Sequence, residues 1–137
     1  MLHVLTPVQS GRCGVYAIVI PQPSWSKPIL YIGLTTRSFI ERLREHRRLL
    51  EQGEHPNDVL QTCWNAGLPM VVGEIIGFPL THHDPDWVAD YCSRVEVALI
   101  TYAQYCGYTV ANEQHNKTIA RATTKNRARR NASLRNT

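Results

Sequence analysis

The sequence lacks a run of 18 or more apolar residues, the length that a membrane-spanning helix needs. It also lacks a basic segment followed by an apolar one at its start, which is the layout of a secretory signal peptide. No CxxC pair occurs among its four widely spaced cysteines. The sequence therefore shows none of the usual signs of a membrane protein or a disulfide-stapled protein. We expect a cytosolic or nucleoid setting, with the cysteines as reduced core residues.

Acidic residues are missing from residues 117–137, which carry seven of the 15 Lys and Arg residues. The first 116 residues hold the other eight against all 11 acids, so the body has a net charge of −3 and the tail +7. A basic arm on a globular body commonly binds nucleic acid by displacing counterions from phosphates. We therefore divide the chain into a domain over residues 1–116 and a basic tail over 117–137, either DNA-contacting or disordered.

The length fits one domain, and its first elements are predicted to be two strands. Residues 14–20 are rich in β-branched side chains and lie between a glycine and a proline. Residues 21–28 contain three prolines and are expected to form a loop, and residues 29–33 form a second short strand. The two strands are predicted to pair antiparallel as a hairpin with an enlarged loop.

A helix is predicted to follow over residues 39–52. Ser38 and Glu41 have the spacing of a capping box, and Gly53 is a typical left-handed stop. The buried side is predicted to comprise Phe39, Leu43 and Leu50. Arg42 and His46 are four residues apart, so we expect them to be neighbours on the helix surface.

The remaining elements are a helix over residues 57–66, a strand over 70–78 and a long helix over 86–106. Asp84, Pro85 and Asp86 suit the start of that last helix. Apolar residues recur along it at alternating spacings of 4 and 3, which predicts a core stripe of Val88, Cys92, Val95, Leu99, Tyr102 and Cys106. The order β-β-α-α-β-α predicts an α+β domain with a small antiparallel or mixed sheet.

Glu96 lies at the edge of that stripe, where an acid either borders the core or faces a cleft as a functional carboxylate. Other polar groups that could converge on it are Tyr16, Tyr31, Arg42, His46, His55 and Asn112. Each has an ordinary reading as a core tyrosine, a solvated arginine or a turn residue. Together they supply a carboxylate for a hard divalent cation, a guanidinium for a charged phosphate and a proton acceptor.

Two triplets, Gly14-Val15-Tyr16 and Tyr31-Ile32-Gly33, resemble the paired motif of the GIY-YIG nuclease family. The resemblance extends downstream and covers about residues 11–115. Its further matches are Arg42 and His46 on the next helix, His55 after a turn, Glu96 in a late helix and Asn112 beyond it. The layout is most similar to homing-endonuclease catalytic domains. It implies a three-stranded antiparallel sheet flanked by helices, with the function of a metal-dependent DNA endonuclease.

The resemblance also implies a role for each matching residue. Tyr16 is expected to be the general base or to orient the nucleophilic water, and Tyr31 to contact the scissile phosphate or to help the base. Arg42 is expected to stabilise the transition-state phosphate, with His46 beside it. Glu96 is expected to be the sole protein ligand of Mg²⁺ or Mn²⁺. The two remaining matches are Asn112, which would brace the site, and His55, a position found in homing-type members.

DNA is the expected partner, in the cytoplasm of a bacterium or phage-infected cell. The residues expected to contact it outside the catalytic set are Arg37, Lys117, Arg121, Lys125, Arg127, Arg129 and Arg130. One departure from the family pattern is Val15, which stands where the first triplet has isoleucine. Three alternatives stay open: a catalytically silent DNA-binding module of the same fold, a restriction- or repair-type nuclease, and a zinc site built from Cys and His.

Overall fold

The computed structural model describes residues 2–4, 11–23 and 26–112, which form five strands and three helices. The strands are β1 (Leu2–Val4), β2 (Arg12–Ile20), β3 (Ile29–Thr35), β4 (Met70–Pro79) and β5 (Thr109–Val110). The helices are α1 (Phe39–Gln52), α2 (Asp58–Asn65) and α3 (Pro85–Tyr105). The six elements predicted from the sequence are all present, each with ends within two residues of the predicted ones.

The strands form one mixed sheet in the order β1-β4-β2-β3-β5. Its centre is antiparallel, because β2 pairs in that sense with both β3 and β4. β1 adds to β4 and β5 adds to β3 in parallel. The α+β class is therefore confirmed, whereas the expected three-stranded antiparallel sheet is only the centre of a five-stranded mixed one. β5 lies within residues 108–112, for which the sequence predicts a short extended piece, whereas β1 has three residues, too few for alternation to reveal it.

Two apolar cores lie on opposite faces of the sheet, because side chains alternate between faces along each strand. One core packs Tyr16 and Ile18 of β2 against α1 and α2. The other packs Val15 of β2 and Ile32 of β3 against α3. The sheet is therefore covered by α1 and α2 on one side and by α3 on the other.

Helix α1 forms as predicted, but one of its residues faces the other way. The Ser38 hydroxyl accepts from the Glu41 amide at 3.2 Å, and Gly53 ends the helix with φ 72°. His46 was expected on the surface, yet it is 0% exposed and completes the buried stripe with Leu43 and Leu50. That expectation is wrong because positions 43, 46 and 50 lie on one face of a helix with 3.6 residues per turn.

Helix α3 begins as predicted, with the Asp84 carboxylate accepting from the Trp87 amide at 3.0 Å. Its core stripe departs from the predicted one in the second half. Tyr102 is 66% exposed, whereas Ile100 and Ala103 are buried. A strict seven-residue repeat drifts by about 20° per heptad on a straight helix, so the predicted stripe leaves the core face after two heptads.

The four cysteines are all free, and three of them are buried as predicted, whereas Cys106 is only half-buried. None of the helices in the described ranges combines the length and the apolarity that crossing a bilayer requires.

Candidate active site

The edge of β3 borders a cleft of about 400 Å³. β5 pairs with β3 only at Ile29 and Leu30, and the cleft lies along the next residues of the strand. Its lining consists of Tyr31, Ile32, Gly33, Leu34, Arg42, His55, Pro56, Asn57, Glu96 and Asn112. Because the cleft lies at a sheet edge, groups from both covered faces reach it. Arg42 comes from α1 on one side and Glu96 from α3 on the other.

Five of the seven residues expected to be catalytic line this cleft: Tyr31, Arg42, His55, Glu96 and Asn112. The other two, Tyr16 and His46, are buried and connect to the cleft through neighbouring side chains. The ring centroid of Tyr31 lies 6.4 Å from that of Tyr16 and 5.6 Å from that of His46. The structure thus brings the seven residues together in two layers, five at the cleft and two behind it.

Close contacts require the glycines of the two triplets. Gly33 pairs with Tyr16 across the hairpin, and a Cβ at Gly33 would lie 2.5 Å from the Tyr16 ring and hydroxyl. Gly14 has φ 144°, and a Cβ there would lie 2.1 Å from the carbonyl oxygen of Ile76. Both positions therefore require glycine, one for the tyrosine ring and one for the neighbouring strand.

A chain of hydrogen bonds runs behind the cleft wall. The Tyr16 hydroxyl lies 2.6 Å from His46 Nε2, and His46 Nδ1 lies 2.8 Å from His55 Nε2. The backbone amide of Asn57 donates to His55 Nδ1 at 3.0 Å. The planes of the two imidazole rings are 14° apart and their centroids 5.0 Å apart, so the rings lie side by side and nearly coplanar, as a hydrogen bond between ring nitrogens requires. These contacts link a strand tyrosine to the start of α2 through two histidines.

Both histidines are neutral at pH 7. Burial, together with the nearby charges of Arg42 and His55, lowers the pKa of His46 to about 3. Burial and Arg42 also lower the pKa of His55. Burial disfavours the charged form of an imidazole, and a nearby guanidinium repels a second positive charge. A ring subject to both therefore loses its proton readily. Each ring therefore carries one hydrogen, on one of its two nitrogens.

The two tyrosines keep their protons at neutral pH, since burial is the largest influence on both and raises each pKa. Arg42 acts in the opposite sense on both hydroxyls. Hydrogen bonding between the two hydroxyls raises the pKa of Tyr16 and lowers that of Tyr31. Of the two phenols, the one that lines the cleft is Tyr31. The hydrogen bond between the hydroxyls therefore stabilises the ionised form of Tyr31.

The guanidinium of Arg42 is anchored by a carboxylate of its own helix. Glu45 Oε2 lies 3.1 Å from Arg42 Nη1 and 2.5 Å from Arg37 Nη2. Hydrogen bonds from Arg37 and Arg42 lower the pKa of Glu45. Since Arg42 also lines the cleft, a bound anion there would meet a cation whose orientation is already set.

Glu96 approaches the cleft from α3, between the buried Cys92 and Ile100 one turn to either side. Its charge acts on Tyr31, raising the pKa of that phenol. A carboxylate that lines a cleft, with water and phosphate oxygens beside it, suits a hard divalent cation. The side-chain oxygens of Asn57 and Asn112 already accept hydrogen bonds from backbone amides. Across the described part of the chain, no three His, Cys, Asp or Glu side chains gather closely enough to hold a metal.

Asn112 continues the β3 edge with its side chain. Its Oδ1 accepts from the Ile32 amide at 2.9 Å, and its Nδ2 donates to the Ile32 carbonyl at 2.7 Å. The side-chain amide thus makes both of the hydrogen bonds to the Ile32 backbone that a residue of a neighbouring strand would make. It fixes the strand next to Tyr31 and lines the cleft.

Asn57 is a cleft residue that sequence reasoning missed. It was read only as the start of α2, and its Oδ1 does accept from the Leu60 amide at 3.1 Å. Its Nδ2 also donates to the Ala111 carbonyl at 2.9 Å, joining the start of α2 to the segment that carries Asn112. The available signal was the Asn-Asp pair two residues after His55, which marks a cap and not a site.

Of the residues expected to contact DNA, only Arg37 lies in the described part of the chain. It is exposed and paired with Glu45. The six basic tail residues from Lys117 to Arg130 lie outside the described residues, as does the boundary predicted at residue 116.

Comparisons of the chain with protein-family models, with curated proteins and with solved structures gave no match, so its function has to be inferred from the site itself.

Proposed function

We propose that this chain is a metal-dependent DNA endonuclease of the GIY-YIG type that hydrolyses phosphodiester bonds with one divalent cation. One observation carries the proposal: a carboxylate, a guanidinium and a phenol converge on one cleft from α3, α1 and β3. Phosphoryl transfer needs this combination, because the reacting phosphate gains charge while a water molecule loses a proton. The cleft is open at a sheet edge, where an extended polymer can pass.

The GIY-YIG fold is part of this proposal. It is supported by the two triplets, which face each other across the β2–β3 hairpin with Tyr16 directly opposite Gly33. The steric demand for glycine at both Gly14 and Gly33 gives the motif a physical reason in this chain. The homing-endonuclease-like layout is supported further by His55, which contacts His46 at 2.8 Å.

In the proposed reaction, the oxygen of a water molecule attacks phosphorus and the bond from phosphorus to the 3′-oxygen breaks. The products are a 5′-phosphate and a 3′-hydroxyl, whose oxygen takes up a proton. In this proposal Tyr31 contacts the attacking water or the phosphate, and Tyr16 behind it helps to orient that water, because both phenols keep their protons at neutral pH. The proton of the attacking water passes to solvent. Arg42 is placed to stabilise the charge on the phosphate, and Asn112 holds the strand that carries Tyr31.

Glu96 would hold Mg²⁺ or Mn²⁺, with water and phosphate oxygens as the remaining ligands. When bound, such an ion supplies Lewis-acid stabilisation to the phosphate and leaving oxygens. DNA is the proposed partner, and the basic tail would add affinity for its phosphates. The proposed location is the cytoplasm of a bacterium or phage-infected cell.

Nicking of supercoiled plasmid tests the proposal. The purified chain should cut in Mg²⁺ or Mn²⁺ and leave ligatable 5′-phosphate ends. Glu96→Gln should lose more than about 100-fold of the rate, above the loss expected for an outer-shell partner of a metal. Asp90→Asn is the matched control, because it removes an exposed carboxylate of the same helix that pairs with Arg94.

The outcomes separate the candidate functions. Undiminished cutting by Glu96→Gln would rule out the metal assignment. A wild-type chain that binds DNA and never cuts in either metal would be the silent binding module. Selective cutting of one duplex sequence, of a damaged duplex or of an intron-homing site would place the enzyme among restriction-, repair- or homing-type nucleases.

A further inference from the structure

The backbone amide of Asn57, at one end of the hydrogen-bond chain behind the cleft, determines which group donates in every bond of that chain. A backbone N–H can only donate, so His55 Nδ1, which lies 3.0 Å from the Asn57 nitrogen, has to accept. His55 is neutral, so its one hydrogen is on Nε2. That nitrogen is 2.8 Å from His46 Nδ1 and donates to it.

The same reasoning fixes the second histidine. His46 Nδ1 accepts from His55, so the single hydrogen of the neutral His46 ring is on Nε2. Nε2 lies 2.6 Å from the Tyr16 oxygen, which therefore accepts. Tyr16 is left with its own hydroxyl hydrogen to donate, and the neighbouring hydroxyl is that of Tyr31 at the cleft wall.

We infer that His55 and the Asn57 amide are positioning groups that orient every hydrogen bond from α2 through His46 and Tyr16 toward Tyr31 and the cleft. Tyr16 is thereby an acceptor from His46 and a donor toward the site. His46 cannot take the Tyr16 proton unless the whole chain reverses, and the Asn57 amide opposes that reversal. Reversal would put the hydrogen of His55 on Nδ1, where it would face the N–H of Asn57, a donor facing a donor.

The role of His55 in cleavage rests on the proposed function, whereas the positions of the hydrogens on the two histidines do not. The histidines cannot take up a proton from the cleft through Tyr16, because each already carries its hydrogen on Nε2, the nitrogen that faces the next member of the chain. The aligned hydrogens instead make Tyr31 a better donor to negative charge that develops on the phosphate, which is the electrostatic arrangement that phosphoryl transfer rewards.

Histidine tautomers are measured directly by long-range ¹H–¹⁵N NMR on the full chain labelled with ¹⁵N-histidine, at pH 7 and without DNA. We expect His46 and His55 both to carry hydrogen on Nε2. A hydrogen on Nδ1 of His46 would overturn the inference. This measurement is independent of cleavage, so the inference and the proposed function can fail separately.

Two substitutions of His55 test its positioning role. His55→Gln keeps a donor for His46 Nδ1, so the Nε2–H tautomer of His46 should persist. His55→Glu presents only an acceptor, so the His46 hydrogen should move to Nδ1 and cleavage should fall by about 10²-fold or more. Equal His46 spectra in the two variants would contradict the role, and the wild-type tautomer decides the matter if either variant fails to fold.

Discussion

Gly33 lies directly across the β2–β3 hairpin from Tyr16, and the aromatic ring occupies the space where a side chain on residue 33 would begin. The ring is held there by an edge-on contact with Phe39 at 6.3 Å between centroids and by the 2.6 Å bond to His46. A glycine and a tyrosine from two separate triplets thus form one structural unit at the base of the site.

Gly33→Ala is expected to destabilise the protein by about 1–3 kcal/mol, the usual cost of overpacking. The new methyl group would lie 2.5 Å from the Tyr16 ring, which has no open space to enter. Urea unfolding measures the loss. Gly73→Ala is the matched control, because it is also in the sheet and a Cβ there meets nothing within 4 Å. Equal stability of the two variants would contradict the steric account.

Arg42→Lys is expected to lower the cleavage rate at saturating DNA by about 10²–10³-fold while changing DNA affinity only a few-fold. Lysine keeps the charge but loses the planar set of donors that reaches Glu45 and the tyrosine hydroxyls at once. Single-turnover cleavage and a binding assay without metal separate the two quantities. Arg47→Lys, at an exposed pair with Glu51, should change neither. A normal rate in Arg42→Lys would remove this residue from the proposed chemistry.

Acid should destabilise the fold through His46. Its pKa is about 3 in the folded state against an ordinary value of 6.5, so the unfolded chain binds the proton first. Above pH 6.5 the imidazole is neutral in both states and no stability is lost. As the pH falls from 6.5 toward 3, the free energy of unfolding decreases by roughly 5 kcal/mol in total.

The measurement is the free energy of unfolding at a series of pH values between 7 and 4. His46→Gln should be less stable at pH 7 but should show a shallower decline than the wild type. His83→Gln, at an exposed histidine, should decline as the wild type does. Parallel curves for the wild type and His46→Gln would show that the buried imidazole does not govern the acid response.

Removing residues 117–137 is expected to weaken DNA binding and to flatten its dependence on salt. Each phosphate contact that is lost should reduce the slope of log affinity against log salt by about 0.9 on duplex DNA. The rate at saturating DNA should stay the same, because the cleft lies in the body. A full-length variant with its seven basic tail residues replaced by glutamine separates charge from length. An unchanged salt slope in both variants would exclude the tail from binding.

Much of the local structure could be predicted because its causes are local. The Ser38 cap, the Gly53 stop and the Asp84 cap act over a single turn, and each appears where the sequence predicts it. The β-branched run before Pro21 predicts a strand for the same reason. The stripe of α3 was predicted less well, because a small error in period accumulates along its 21 residues.

The sequence by itself determined the order of the elements, their caps and the set of polar residues available for chemistry. Only the tertiary structure decided that His46 is buried, that Asn57 directs the hydrogens of two histidines, and that Asn112 bonds to Ile32 80 residues away. Helix periodicity and capping depend on neighbours within a few residues. The meeting of Glu96 with Tyr31 depends on how α3 packs across the sheet, and no local pattern encodes that distance.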